Sequence, residues 1–449
     1  MTELHVECAG AGKTFSIAKA IASMVNECSN GKKVYAVTYT NYAVSQIKTE
    51  ICNRLNCIPE TLIIDTVHGF LLDNIIYPLS GFVKSERIKR CSIEKLSSNP
   101  TWAAVRKSQL KRRGEIHSSD VTQYARSIIV PSANDSRKVK DKKKVALDYL
   151  ASDIFCIFVD EAQDMDKDFF DLMELITGRI EGFCFFGDPN QDLWGNNQYE
   201  GFISRIRTRY GITENLNMVS RRLPQCIVDI CNRILKPEYQ ISSISGEPGR
   251  VEFVYDSELT AEERKCFSEC DRFAIIKGSS GLYSTRARCS SCLPGEFREI
   301  LMEKYPSYDI DAVTQAFVEE IDANGLSPCL KRHGITLDKQ SYAKLAQQFE
   351  SPKTEINKVR SIQKMKGLEA QTVYFVICNS LLEILLGLKN EYNKETNLLY
   401  VALTRTKNRL LLVIHDDDTM SRSFARRGLS IEHAIQGINI PHANKQDWF

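Results

Sequence analysis

The sequence predicts an α/β fold built on parallel sheets and divided into more than one domain, on three observations. With 449 residues, the chain is longer than one compact core accommodates. Apolar, β-branched runs such as "KVYAVTY", "TLIIDTV" and "DIFCIFV" alternate with segments whose apolar residues return at helical spacing. A glycine-rich turn, "CAGAGKT", stands between one such run and one such helix.

Composition narrows the class without fixing it. A hydrophobic content of 43% and a charged content of 26% describe an ordinary globular protein. The formal net charge of +2 gives no overall signal for nucleic acid, so local charge must decide that point. No run of apolar residues is long enough to span a bilayer, and no leader peptide is expected before the glycine-rich turn. The 15 cysteines are scattered singly, as reduced thiols would be, and a cytoplasmic location is expected.

The first element is the strand "LHV". After the turn, Ile17, Ile21, Met24, Val25 and Cys28 recur at helical spacing, and Gly31 follows as a stop. Such a strand, turn and helix aim backbone N–H groups and the positive end of the helix dipole at one point, which suits a phosphate. Cys8, Ala9, Gly10, Ala11, Gly12, Lys13, Thr14 and Phe15 form this candidate loop. Gly10 and Gly12 let the backbone approach, Lys13 reaches the β and γ phosphates, and the Thr14 hydroxyl holds Mg²⁺. Glu7 stands where the usual pattern opens with glycine. Two strands later, "DIFCIFVDEAQDMD" ends a buried run in Asp160-Glu161. An acidic pair here can simply start a helix. Beside a phosphate loop it suits Mg²⁺ held through water at Asp160 and a water-polarising base at Glu161.

From this point seven segments, in order, carry a family resemblance: "AVTYTNYAVSQIKTEI" (36–51), "DTVHGF" (65–70), "VDEAQDMD" (159–166), "FFGDPNQDLWG" (185–195), "SRRLPQCIVDICN" (220–232), "VRSIQKMKGLEAQTVYFV" (359–376) and "LLYVALTRTKNRLLLVI" (398–414). The chain resembles the UvrD/Rep type of superfamily 1A DNA helicases. That resemblance implies two RecA-like parallel-sheet motor domains with inserted, mainly helical subdomains. Residues 1–74 and 151–216 form the first motor domain (1A), and 75–150 its inserted subdomain (1B). Residues 217–280 and 356–449 form the second (2A), and 281–355 a reduced 2B insertion. It further implies ATP and Mg²⁺ held between the motor domains. Arg222 and Arg405 cross from the second domain, Gln191 touches the γ-phosphate and Glu369 the ribose. A single DNA strand then runs over Tyr39, Thr40, Asn41, His68 and Trp194 with 3′→5′ polarity. Away from their motifs, the arginines would pass for surface ion pairs and the two aromatics for core residues.

Departures from the family pattern shape further expectations. The glutamine-bearing adenine reader upstream of the loop is expected to be missing, and motif IV reads Ser220-Arg221-Arg222. The planar guanidinium of Arg221 is therefore expected to stack on the base, with relaxed choice between ATP and GTP. Asn196 replaces a stacking tryptophan, a loss that Trp194 could cover. Between Lys84 and Lys144, 17 Lys/Arg face 6 Asp/Glu. This is either a grip on DNA phosphates or a solvated helical face and basic loop. Cys266, Cys270, Cys289 and Cys292 have a spacing that admits zinc but equally suits reduced thiols. No nuclease motif follows residue 414.

Two functions remain open at this stage. One is an ATP-dependent 3′→5′ DNA helicase acting at single/double-strand junctions. The other is a DNA-sensing ATPase that regulates a nuclease or other protein partner. The second is suggested by a weaker resemblance to the compact helicase-like subunits of prokaryotic anti-phage systems such as Gabija. No membrane partner is expected.

Overall fold

The computed structural model describes residues 2–449 apart from 29–30, 95, 98, 196, 269–271, 279–282, 285–294, 306–312, 315–316, 318–320, 322–325, 350–356, 390–391 and 416–423. The predicted α/β class is what it contains: two parallel sheets flanked by helices.

The first sheet holds β1 (Thr2–Glu7), β2 (Lys33–Thr38), β3 (Leu62–Thr66), β4 (Ile154–Val159), β5 (Gly182–Gly187) and β6 (Asn215–Asn217), in the order β3-β2-β4-β5-β1-β6. Its central strands are apolar almost throughout because helices cover both faces. On one face α1 (Lys13–Glu27) and α2 (Asn41–Leu55) bury Ile17, Ile21, Val44 and Ile47 against Cys184 and Phe186. On the other, Phe183 and Phe185 pack with Phe170 and Phe202. Register sets Val159 beside Phe185 and Val6 beside Gly187. The carboxyl ends of β4, β5 and β1 therefore finish side by side, where an open parallel sheet binds ligands.

Residues 75–150 contribute the helices Tyr77–Lys84, Pro100–Arg112, Val121–Ile129 and Arg137–Asp153, with the short parallel strands Arg90–Ser92 and Glu115–His117. Their apolar faces join the first sheet's core through Leu79, Ile128 and Leu147. The basic stretch after residue 136 is thus helix rather than loop, capped by Ser136, whose Oγ accepts from the Val139 N–H.

The second sheet holds β7 (Arg250–Tyr255), β8 (Arg272–Ile276), β9 (Arg360–Ser361), β10 (Ala370–Ile377) and β11 (Thr406–Ile414), ordered β7-β11-β10-β8-β9 and all parallel. Helices Gly295–Lys304, Leu326–Arg332 and Lys339–Phe349 bury a small separate core around Leu301 and Leu330. Cys8, Ala9 and Ala11 of the glycine-rich turn pack into the second sheet's core with Leu223, Ile227 and Leu403. The turn is consequently a seam between the two halves. Among the described residues no helix is long and apolar enough to cross a membrane, and the described cysteines are free thiols.

Candidate nucleotide site and adjoining cleft

Gly10 and Gly12 both adopt the left-handed backbone, at φ 79° and 97°, for different reasons. A Cβ on Gly10 would lie 2.5 Å from Ser220 Oγ and 2.8 Å from Arg222 Cβ, so glycine is demanded by the second half's approach. A Cβ on Gly12 would meet open space, the room a phosphate needs. Gly12 caps α1 without a side-chain hydrogen bond, which leaves first-turn N–H groups for an anion. Elsewhere the turn is clamped. Ser220 Oγ donates to the Ala9 carbonyl at 2.9 Å, and the Arg221 N–H donates to the Gly10 carbonyl at 2.9 Å. The Ala9 N–H donates to the Tyr400 hydroxyl at 3.1 Å.

Lys13 points into this room. Its buried ammonium has no hydrogen-bond partner, and Glu161 Oε2 stands 3.6 Å away. Burial alone would lower its pKa, but Glu161, Asp188 and Asp160 more than offset that and hold it above the usual range. A buried ammonium without hydrogen bonds is costly unless a ligand supplies the acceptors. Phosphate oxygens would do so.

The carboxyl end of β4 delivers Asp160 and Glu161. Glu161 sits at φ 51°, a left-handed conformation rare for a residue with a side chain, and Asp160 Oδ1 accepts its N–H at 2.9 Å. Burial, then the neighbouring Glu161 charge, pushes Asp160 up to about 7. Against its own burial, Glu161 is held low by Lys13 and Lys366. The buried Asp160 and the partly buried Glu161 offer adjacent carboxylate oxygens, donors that fit a hard divalent cation, which would relieve the load on Asp160.

The second half answers with cations. Glu369 immediately precedes β10 and Arg405 immediately precedes β11, and the Ala370 N–H donates to the Arg405 carbonyl at 3.1 Å. Arg405 is 3% exposed; it donates to Gln191 Oε1 at 3.4 Å and to the Val401 carbonyl at 2.9 Å. Arg222 is ion-paired with Glu369 and donates to the Thr404 carbonyl at 2.9 Å. Burial and the nearby Arg405 charge lower Arg222 to about 10. Lys13, Glu161, Gln191, Arg222 and Arg405 thus meet at one seam. The carboxylate of Glu369, expected to touch the ribose, is held by Arg222 and by Lys407, the latter at 3.2 Å. Phe15 is 59% exposed on the first turn of α1, with the Arg54 guanidinium 4.0 Å above its ring. The Arg221 side chain is exposed while its backbone holds Gly10.

Five residues that finish this network, Gln163, Asp164, Asp188, Lys366 and Tyr400, lie within the seven motifs but have no role that spacing alone assigns. Gln163 donates to Glu161 and accepts from the Asp188 N–H at 2.9 Å, bridging the ends of β4 and β5. Asp188 accepts from Gln191 Nε2 at 2.8 Å and from the Tyr400 hydroxyl at 3.1 Å. Lys366 crosses the seam to pair with Asp164 and to donate to the Gln191 carbonyl at 3.2 Å. Their signal lay in the D-E-x-Q-D, G-D-x-x-Q, K-G-L-E and Y-V-A-L-T-R patterns themselves.

Tyr39, Thr40, Asn41, His68 and Trp194 line a second feature together, a cleft of about 900 Å³ that also contains Gln163 and Asp164. β2 ends at Thr38, one residue short of the sequence expectation, which frees Tyr39 to be 49% exposed; Trp194 is 59% exposed. Thr40 spends its hydroxyl on capping α2, accepting the Ala43 N–H at 3.1 Å. The nucleotide seam and the cleft share one wall, the segment from Glu161 to Asp166. Asn196 lies outside the described residues, as do Cys270, Cys289 and Cys292 of the zinc question; Cys266 closes the short helix Ala261–Lys265.

Comparison with known proteins agrees with this geometry. An AAA domain family model matches residues 5–195. The chain is 22% identical to Gabija protein GajB of Bacillus cereus (strain VD045), over 90% of this chain and 91% of that protein. The likeness to UvrD/Rep-type helicases therefore stands beside the match to that Gabija protein.

Proposed function

We propose that this chain hydrolyses ATP at the seam between its two sheets and uses that cycle to move 3′→5′ along a DNA strand, opening duplex at a junction. The observation that carries the reading is the meeting of Lys13 and Glu161 from one half with Arg405 and Arg222 from the other. In this reading the loop N–H groups and Lys13 hold the β and γ phosphates, with Thr14 and Asp160 placed to hold Mg²⁺. When bound, that ion would neutralise charge between the β and γ oxygens. Glu161 accepts the proton of a water whose oxygen attacks the γ phosphorus, and the bond to the β-phosphate oxygen breaks to leave ADP. Arg405 and Arg222 offset the charge that spreads over the γ oxygens, a contribution worth ~10³-fold or more in rate. Gln191, bonded to both Arg405 and Asp188, reports the γ-phosphate across the seam. Gln163 and Asp164 carry the change to the cleft, where Tyr39 and Trp194 stack on bases and Asn41 and His68 meet the backbone.

ATP turnover with and without single-stranded DNA tests this, alongside displacement of 3′- and 5′-tailed duplexes. Stimulated turnover with displacement of the 3′-tailed substrate alone is expected, abolished by Glu161→Gln and Arg405→Ala. Full turnover by Arg405→Ala would remove the role assigned to the seam.

A second reading is favoured by the likeness to Gabija protein GajB along nearly the whole of both chains. Here the chain serves antiviral defence as a DNA-sensing ATPase that licenses a partner nuclease. DNA-stimulated turnover without displacement on either tail, together with co-purification of a nuclease, would select it.

A further inference from the structure

The basic insertion contains a hollow that the nucleotide seam and the cleft do not use. It measures about 550 Å³ and opens among the helices Pro100–Arg112, Val121–Ile129 and Arg137–Asp153. That volume falls in the ordinary range for small-molecule sites. Five cationic side chains line it, Lys84, Lys107, Lys111, Arg126 and Lys143, against three carboxylates. Two of those carboxylates are neutralised within the hollow: Asp120 by Lys107 at 2.5 Å and Asp135 by Lys143 at 2.7 Å. Lys143 is almost wholly buried and also donates to the Val130 carbonyl at 2.8 Å, so the floor is rigid. The third, Glu115, has Arg90 at 3.9 Å. Among the described residues Lys84 has no hydrogen bond or ion pair, while Lys111 pairs with the exposed Glu86 and lies 5.4 Å from the centre of the Tyr124 ring. Burial first, then the charge of Lys143, lowers the Lys84 pKa, while Asp135 and Glu86 act the other way. A smaller basic hollow of about 470 Å³, bearing Arg87 and Arg112, adjoins it through Ser108 and Lys111.

We infer that this hollow is a binding site for a small phosphorylated anion of nucleotide or oligophosphate size, held by Lys84 and Lys111, and that its occupancy adjusts the DNA cleft. A small free ligand suits it because Lys84, Lys107, Lys111 and Lys143 line one hollow of about 550 Å³. The link to the cleft is a shared wall. Residues 115–124 present His117, Asp120 and Gln123 to the hollow, and Ser118, Ser119 and Thr122 to the cleft. Ser119 Oγ donates to Asp120 Oδ1 at 3.0 Å and contacts His117 Nδ1 at 2.9 Å. A phosphate that draws Lys107 from Asp120 therefore loosens the anchor of a residue in the cleft wall. That exchange is cheap, since a pair with both partners about one-third exposed contributes little.

Binding at the hollow stands apart from the proposed function; only the effect on the cleft rests on it. The test titrates inorganic tripolyphosphate and AMP calorimetrically into the full chain carrying Lys13→Ala, which silences the phosphate loop. One equivalent of tripolyphosphate is expected to bind. Adding Lys84→Gln or the more exposed Lys111→Gln should each weaken it about tenfold, the loss of roughly one charge-assisted contact. Fluorescence anisotropy with a short single-stranded oligonucleotide should show DNA affinity changing when tripolyphosphate is present, and not in the Lys84→Gln chain. Absence of binding, or binding indifferent to both lysines, overturns the site. Displacement of tripolyphosphate by the oligonucleotide, with Lys84→Gln weakening DNA to the same extent, overturns it in favour of a nucleic-acid contact. Anion binding that needs both lysines in a chain that binds no DNA supports the site and sinks the proposed function.

Discussion

Tyr400 joins Asp188 across the seam: its hydroxyl donates to Asp188 Oδ2 at 3.1 Å while accepting the Ala9 N–H at 3.1 Å. One fully buried oxygen therefore ties the helix Lys394–Leu403, the phosphate loop and the end of β5. Asp188 is itself raised by burial, so each donor it keeps matters. Tyr400→Phe should strand the Ala9 N–H and cost about 1–3 kcal/mol. Urea unfolding measures that loss. Steady-state kinetics should show kcat falling more than KM rises, because the tie positions the loop relative to Gln191 rather than touching nucleotide. Unchanged stability and turnover would mean the hydroxyl is dispensable.

Gly10 and Gly12 should part company when each becomes alanine. Both substitutions place a side chain at positive φ, a strain of about 1–2 kcal/mol. At Gly10 the new methyl also strikes Ser220 and the Arg222 side chain, so the second half must back away and the nucleotide-free protein should lose stability further. At Gly12 the methyl enters open space, so the nucleotide-free protein should melt only slightly lower while ATP-induced stabilisation disappears. Thermal melts of both variants with and without ATP decide this. Equal melting of the two nucleotide-free variants would contradict the packing argument.

Glu369 was expected at a ribose, yet Arg222 and Lys407 hold its carboxylate. If its main task is to aim Arg222, Glu369→Gln should lower kcat about tenfold or more while leaving the preference between ATP and 2′-deoxyATP unchanged. A ribose contact predicts the reverse, a modest kcat change with altered preference. Steady-state kinetics on the two nucleotides separates these outcomes.

How far the sequence could be read follows from what each residue depends on. The loop, Asp160-Glu161 and the arginines were legible because strand, turn and helix patterns are local and motif spacing marks the rest. Their fastening was not. Ala9 and Tyr400 are 391 positions apart and Asp164 and Lys366 are 202 apart, and no periodicity encodes such pairings. Charge behaved likewise. The excess of basic residues between 84 and 144 can be counted, but only the fold reveals that Lys143 is buried on Asp135 while Lys84 has no ion pair among the described residues. Sequence left Tyr39 and Trp194 between core and surface, and the early end of β2 resolves the first of them.

That exposure makes the cleft testable without disturbing the fold. Tyr39 and Trp194 line it from different elements, expose about half of their surface (49% and 59%) and belong to none of the described hydrophobic cores, so truncating either removes little core packing. Stability should therefore move by less than about 0.5 kcal/mol in Tyr39→Ala and Trp194→Ala. Stacking on a base is worth about 1–3 kcal/mol, which predicts roughly a five- to hundredfold loss of single-strand affinity for each variant. Because stacking is uncharged, the salt dependence of binding should keep its slope, whereas loss of a phosphate contact would reduce it. Anisotropy titrations across a salt series measure both quantities. Wild-type affinity in both variants would remove the DNA strand from this cleft and leave its exposed aromatics to some other ligand.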